Sequence, residues 1–103
     1  MFFVVFITCP DIEEGKKIAD LLLKDRLAAC VNIIPNVSSK FWWEGKIQEA
    51  EEVLLIVKTK KSVLKKLIKK VKETHSYSLP EIIALPIVGG SKDFIRWIDE
   101  ETQ

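Results

Sequence analysis

The stretch that most constrains how this chain can fold is residues 28–60, which reads as two long β-segments around a tight turn. Side chains that follow one another along a strand point to opposite faces. Phe41 and Trp43 therefore share one face of the hairpin, and Trp42 lies on the other. Residues 53–57 (VLLIV) are apolar at both alternations. A hairpin of this kind has to be covered on both faces.

Apolar periodicity and turn signals divide the whole chain into alternating elements. The order is strand, helix, strand, strand, helix, strand and a short last helix. The predicted strands are residues 2–8, 28–34 with an extension over 38–43, 46–58 and 81–88, and the predicted helices are residues 12–25, 62–74 and a segment with Phe94, Trp97 and Ile98. The middle strands form a hairpin that turns at Glu44-Gly45.

This order predicts a ferredoxin-like fold of the α+β class. Each β-α-β crossover is expected to be right-handed. Two such crossovers place both main helices on the same face of a four-stranded antiparallel sheet, the βαββαβ arrangement, with the short helix added at the C-terminus. A chain of 103 residues has the size of one domain. Residues 1–103 are therefore predicted to form a single domain.

Local signals mark where the elements begin and bend. Asp11 has the position of a helix N-cap, with Glu14 three residues further on as in a capping box. The pair Pro35-Asn36 predicts a break or a bulge in the second strand. Pro86 predicts that the last strand lies at a sheet edge or carries a bulge.

The sheet face away from the main helices would alternate with polar residues if it met water. Instead, the runs FFVVFI, CVNII, VLLIV and IIALPIV are apolar at both alternations. Large exposed apolar patches mark association sites, so we expect other copies of the chain to cover this face. The aromatic residues 41–43 lie on a hairpin too long for one small domain. The pattern predicts a closed homo-oligomer with these residues as contacts.

Composition and motifs exclude several classes of protein. The formal net charge of +1 predicts neither a nucleic acid nor a membrane as partner. Residues 2–7 lack the basic flank and cleavage site of a signal peptide, which predicts a cytoplasmic protein. No nucleophile–base set, HExxH motif or phosphate-binding loop is found, so the chain is not predicted to be an enzyme. An acylphosphatase, for example, needs an arginine loop where this chain has Cys9-Pro10-Asp11.

Several segments, in order along nearly the whole chain, carry a resemblance to a known family. They are TCPD at 8–11, RLAACVNI at 26–33, FWWEGKI at 41–47, LIVKT at 55–59, HSY at 75–77, PEI at 80–82 and the closing Trp97. Together they resemble the CutA family, the divalent-cation-tolerance proteins. The resemblance implies a ferredoxin-like fold, a cytoplasmic homotrimer built through the long hairpin, and a link to copper and other divalent cations.

The resemblance also implies a pocket between subunits. Its residues would be Cys30, Trp43, Lys58, His75, Tyr77 and Glu81. The chain departs from the family pattern beside this pocket, because Ser76 stands where the family usually has a proline. Some members also carry two adjacent histidines and a slightly earlier cysteine, whereas this chain has Thr74 before His75 and a displaced Cys9. A metal site proposed for those members is only partly present.

Three side chains are candidate metal ligands, and each has a structural alternative. His75, the only histidine, could ligate copper or zinc as a neutral ring, or interact with the helix dipole when protonated. Cys30 lies in an apolar strand and is expected to pack in the core, whereas as a thiolate it would suit Cu(I) or zinc. Cys9, in a loop before Pro10, is expected to be more exposed and more reactive. The sequence does not decide which of the two thiols binds a metal.

The candidate site residues are consistent with two functions. The leading one is a trimeric, metal-responsive binding protein that takes copper or another divalent ion at or near subunit interfaces. The alternative is a trimeric signalling protein like the PII proteins, which would bind a small molecule in the inter-subunit cleft. Trp43, Lys58, Tyr77 and Glu81 would line that cleft, with Lys58 and Glu81 as its charged ends. The purely structural alternative is a salt bridge at the sheet edge, with Tyr77 packing its ring and hydrogen-bonding through its hydroxyl. No organic cofactor is predicted.

Overall fold

The computed structural model describes all 103 residues and confirms the predicted order of elements. They are β1 (Phe2–Cys9), α1 (Ile12–Lys24), β2 (Cys30–Trp43), β3 (Lys46–Lys60), α2 (Lys61–Thr74), β4 (Ile82–Pro86) and α3 (Lys92–Glu101). The strands form one four-stranded sheet in the order β2-β3-β1-β4, and every neighbouring pair is antiparallel. This is the ferredoxin-like arrangement that the sequence predicts. None of the helices is both long enough and apolar enough to cross a lipid bilayer.

The cap at Asp11 and the irregularity of β2 lie where the sequence places them, whereas the Glu14 carboxylate accepts the N–H of Ser76 and does not complete the predicted capping box. The side chain of Asp11 accepts a hydrogen bond from the N–H of Glu14 at 2.8 Å, which caps α1. The pairing register of β2 with β3 shifts between Ile34 and Val37, so the predicted irregularity is a bulge within one long strand. β4 lies at the sheet edge and ends at Pro86, short of the predicted residue 88.

The core lies between one face of the sheet and the helices α1 and α2. Alternate residues of the central strands point into it, and each helix contributes its apolar stripe. The fully or nearly fully buried members include Val5, Ile7, Cys9, Val53, Leu55 and Val57 from the sheet, and Ile18, Leu22, Val63, Leu67 and Val71 from the helices. The alternation in β1 and β3 and the helical spacing therefore point to the same buried layer.

The other face of the sheet keeps much of its apolar surface exposed. Ile34, Ile83 and Leu85 are 39%, 51% and 44% exposed, and by alternation they lie on the side away from the main helices. The expectation that this chain alone leaves the second face uncovered is confirmed.

The β2–β3 hairpin projects beyond the rest of the sheet. β1 ends at Cys9, which pairs with Val53, so residues 46–52 of β3 pair only with β2. The projection accounts for the elongated shape, whose longest extent is 44 Å against 25 and 22 Å in the other directions. Trp42, near the tip, is 73% exposed. The projecting part of the hairpin forms one wall of the groove described below.

Candidate functional site

Three potential metal ligands meet where β1 ends. Cys9 is the last residue of β1, Glu14 lies in the first turn of α1, and His75 directly follows α2. The Cys9 sulfur, a His75 ring nitrogen and a Glu14 carboxylate oxygen all lie within 4.8 Å of one another. Because the crossovers bring both helices back over the same sheet face, residues far apart in sequence converge here. We call these residues the Cys9–Glu14–His75 cluster.

The imidazole of His75 is held by main-chain groups on both of its nitrogens. Nε2 lies 2.7 Å from the carbonyl oxygen of Thr8, and Nδ1 accepts the N–H of Tyr77 at 3.1 Å. A carbonyl can only accept, so Nε2 carries a proton, and a nitrogen that accepts an N–H carries none. These two contacts are therefore satisfied together when the ring carries its proton on Nε2. His75 links the end of β1 to the segment that follows α2.

Glu14 stabilises the same segment from the helix side. One of its carboxylate oxygens accepts the N–H of Ser76 at 3.1 Å and lies 3.3 Å from Nδ1 of His75. The N–H groups of Ser76 and Tyr77 are thus both satisfied by side chains of the cluster. From the sequence, Glu14 is expected only to cap a helix. Its position three residues after Asp11 gave no sign that the carboxylate reaches His75.

The expected exposure and reactivity of Cys9 are wrong. Cys9 is fully buried, because it still belongs to β1 opposite Val53 and its side chain joins the core under the helices. Burial, followed by the negative charges of Glu14, Asp11 and Glu52, raises the pKa of the Cys9 thiol to about 12. A thiol in this state is a poor nucleophile, since the thiolate is the reactive form.

Cys30 lies on the opposite face of the sheet from the cluster. It pairs with Lys58, which alternates with the core residue Val57, so both point away from the main helices. Its sulfur is 3.9 Å from Nζ of Lys58, and that ammonium also donates to the side-chain oxygen of Asn32. Cys30 is half-buried and outside the core cluster, so the core position expected for it is wrong. Within one chain, only Cys9 meets His75.

A groove of about 810 Å³ runs between the projecting hairpin and the segment after α2. Its walls are residues 38–43 of β2 on one side and residues 77–81 on the other, with Thr8 and Glu52 between them. We call it the hairpin groove. It contains Trp43, Tyr77 and Glu81 of the predicted pocket, whereas Lys58 is not among its lining residues.

Two carboxylates and a tyrosine set the electrostatics of the hairpin groove. The hydroxyl of Tyr77 donates to a carboxylate oxygen of Glu52 at 2.8 Å, and Glu52 is 8% exposed. Partial burial, followed by the charge of Glu52, raises the pKa of Glu81. Burial and the bond to Glu52 raise the pKa of Tyr77. Glu52 is not among the site residues predicted from the sequence, because it belongs to a stretch too polar to be predicted as core. The available signal was its position two and four residues before Leu54 and Ile56, on the same face of the strand.

The sequence and the structure of this chain are both similar to those of divalent-cation tolerance proteins. The family model of the CutA1 divalent ion tolerance protein matches residues 3–101. The divalent-cation tolerance protein CutA of Archaeoglobus fulgidus is 48% identical over 99 residues, which are 96% of each chain. The chloroplastic protein CutA 1 of Oryza sativa is 47% identical over 100 residues, and this chain spans only 56% of its length.

The structural comparison covers the whole chain. A solved structure of the divalent cation tolerance protein from Thermus thermophilus superimposes with a TM-score of 0.98 at 45% sequence identity, and covers 100% of both chains. The structure described as the periplasmic divalent cation tolerance protein CutA of Archaeoglobus fulgidus gives a TM-score of 0.97 at 48% identity, also over 100% of both chains.

The burial of Cys9 predicts that its thiol resists alkylation. In a Cys30→Ser variant Cys9 is the only thiol, and we expect iodoacetamide at about pH 8 to leave the folded protein unmodified, because the thiolate fraction and the access are both very small. The same variant unfolded in guanidinium should be fully labelled, which mass spectrometry will show. Labelling of the folded variant at the rate of the unfolded one would contradict the buried position of Cys9.

Proposed function

The chain belongs to the CutA1 divalent ion tolerance protein family, and we propose that it acts in divalent-cation tolerance by binding the ion through Cys9, Glu14 and His75. The observation that carries this proposal is the convergence of a thiol, a carboxylate and an imidazole within 4.8 Å. Thiolate and imidazole are the ligands that copper and zinc prefer in proteins. The metal ion is the cargo in this proposal.

The three side chains fit a metal in chemistry and position, but each already has a partner. For His75 to ligate through Nδ1, the N–H of Tyr77 has to leave that nitrogen. Glu14 would give up its hydrogen bond from the N–H of Ser76 in order to bind the ion. Cys9 would have to release its thiol proton, although burial and nearby carboxylates raise the pKa of that thiol. Three protein ligands leave a fourth position of a tetrahedral site for water or another group. Binding is therefore expected to be coupled to proton release and to movement of residues 76–77.

We propose copper as the preferred ion and a non-enzymatic role. Among divalent first-row metals, copper binds most tightly to sites of nitrogen and sulfur ligands. The site contains no activated nucleophile, because the Cys9 thiol is held protonated. The cytoplasmic location inferred from the sequence stays part of the proposal. Relatives differ in this respect, since those of rice and Arabidopsis thaliana are named chloroplastic and that of Archaeoglobus fulgidus is described as periplasmic.

Metal titration tests the proposed ligands. We expect the protein to bind one Zn²⁺ or Cu²⁺ per chain, with an apparent affinity that rises about tenfold per pH unit between about pH 6 and about pH 8, because one thiol proton is released. Cys9→Ser and His75→Gln should each weaken binding by more than the roughly 10–100-fold that loss of an outer-sphere partner costs. Isothermal titration calorimetry in buffers of different ionisation enthalpy measures both the affinity and the proton release.

The two cysteines supply the matched control for this titration. Cys30→Ser makes the same chemical change on the opposite sheet face and should bind Zn²⁺ like the unmodified protein. Equal binding by the Cys9→Ser and Cys30→Ser variants, or no binding at micromolar Zn²⁺ and Cu²⁺, would refute the cluster as the metal site.

We further propose that three copies associate through the β2–β3 hairpin and the exposed sheet face. Native mass spectrometry should give three times the mass of the chain. Ile83→Asp should reduce the trimer fraction strongly, because Ile83 lies on the open face and is 51% exposed. The matched Ile12→Asp change is at the start of α1, at 37% exposure on the helix side, and should leave the trimer intact. A monomer mass for the unmodified protein would contradict the proposal.

A second candidate function is supported by the hairpin groove. A cavity of this size with aromatic walls and a few polar groups has the character of a small-molecule site. Under this alternative the chain is a ligand-binding signalling protein comparable to the PII proteins. The two candidates differ in what stabilises the protein, because metal ions act at the Cys9–Glu14–His75 cluster and an organic ligand acts at the groove.

A further inference from the structure

The outer surface of α2 carries an unbalanced positive charge. The helix contains six lysines and a single acidic residue, Glu73. Lys61, Lys65, Lys69 and Lys72 are exposed and recur at helical spacing, so they form one row along the helix. We call these four residues the α2 lysine row. The formal charge of +1 for the whole chain averages over faces of different sign and does not describe this surface.

The chain itself provides no carboxylate for the α2 lysine row. Among the lysines of α2, only Lys70 forms a salt bridge, with Asp25 at 3.2 Å, and Lys66 donates to the side-chain oxygen of Gln103 at 3.1 Å. Like charges at positions i and i+4 of a helix repel each other and destabilise the helix. The row therefore costs stability in the isolated chain, and an anionic partner would remove that cost.

The start of α2 adds to the same positive charge. A helix N-terminus carries a partial positive charge, which a capping side chain or acidic residues in the first turn usually compensate. α1 has both, with Asp11 as the cap and Glu13 and Glu14 in the first turn. α2 has neither, because Lys60 at the N-cap position makes no side-chain cap bond and the first turn begins with Lys61 and contains no acid. The compensation present in α1 is thus absent from α2.

The position of the α2 lysine row is independent of the proposed association of copies. The opposite side of α2, with Val63, Leu67 and Val71, is buried against the sheet, so the row faces away from the sheet. The proposed contacts between copies use the hairpin and the other face of the sheet. The row is therefore exposed in one chain and in the proposed assembly.

The composition of the exposed surface indicates which kind of anion it fits. The exposed residues of α2 are five lysines, Ser62 and Glu73, without an apolar or aromatic side chain. Single-stranded nucleic acids are bound through aromatic side chains that stack on bases, and helices on membranes insert apolar side chains. Protein interfaces are depleted in lysine and depend on aromatic or arginine anchors. Lysines alone are sufficient for the phosphate backbone of a duplex, where released counterions drive binding.

We propose that the α2 lysine row binds the phosphate backbone of double-stranded DNA. The lysines at i and i+4 are about 6 Å apart along the helix axis, and the duplex carries one negative charge per roughly 1.7 Å of its axis. Contacts to phosphates carry no sequence information, so binding is independent of the base sequence. This activity is separate from metal binding at the Cys9–Glu14–His75 cluster and goes beyond the proposed function.

Fluorescence anisotropy with a labelled duplex of about 20 base pairs tests the inference on the full chain. We expect saturable binding with an apparent Kd of about 10 µM in about 50 mM NaCl. In about 200 mM NaCl the affinity should be about 100-fold weaker, because about four phosphate contacts each release counterions. A second duplex of unrelated sequence should bind equally well.

Two double variants with the same change in charge show where the duplex binds. Lys65→Gln with Lys69→Gln should weaken binding about tenfold or more in low salt and should lower the slope of log affinity against log salt by about 2. Lys46→Gln with Lys92→Gln removes the same charge at two exposed positions outside α2 and should leave that slope unchanged. Circular dichroism checks that both variants are folded.

The inference is overturned if the duplex does not bind in about 50 mM NaCl, or if both double variants lose affinity equally. Tighter binding to the single strand, to vesicles of phosphatidylglycerol or to polyglutamate than to the duplex would also overturn it. Both double variants keep Cys9, Glu14 and His75, so metal binding is measured separately on the same proteins.

Discussion

The site depends on the way in which His75 is held between two main-chain groups. Its Nε2–H donates to the Thr8 carbonyl at 2.7 Å, and its Nδ1 accepts the N–H of Tyr77 at 3.1 Å. Buried hydrogen bonds contribute about 1 kcal/mol each, but an unpaired buried partner costs about 1–3 kcal/mol, so both contacts are strongly favoured. One ring thereby fixes the end of β1, the end of α2 and the first residues of the groove wall. The Cys9–Glu14–His75 cluster and the hairpin groove consequently share Tyr77 as a neighbour.

The second constraint is the sheet with two apolar faces. The helices α1 and α2 cover the face that carries Val5, Leu55 and Val57, and the opposite face keeps Ile83 and Leu85 exposed. The hairpin extends past β1, so its outer part has no partner strand on the β1 side. The apolar surface and the projecting hairpin both favour the proposed association of several copies.

Much of the fold was predictable because local patterns determine it. The apolar runs of β1 and β3, the helical spacing in α2 and the cap at Asp11 each specify one element, and the helical spacing also specifies the buried side of α2. The site was less predictable because contacts distant in sequence create it. Glu14 looks like a capping residue until α2 brings His75 beside it, and Cys9 looks like a loop residue until β1 is seen to include it. Glu52 belongs to a polar stretch, and its alternation with apolar residues does not indicate the hydroxyl of Tyr77 as its partner.

The most direct test of this account is the protonation of the His75 ring, the only histidine in the chain. Long-range ¹⁵N–¹H NMR of the metal-free protein near neutral pH distinguishes the two tautomers. We expect a proton on Nε2 and an unprotonated Nδ1, and we expect Zn²⁺ to change the Nδ1 resonance as the Tyr77 N–H is displaced. A proton on Nδ1 would contradict it, because Tyr77 could then not donate to that nitrogen, and the link between the cluster and the groove would be lost.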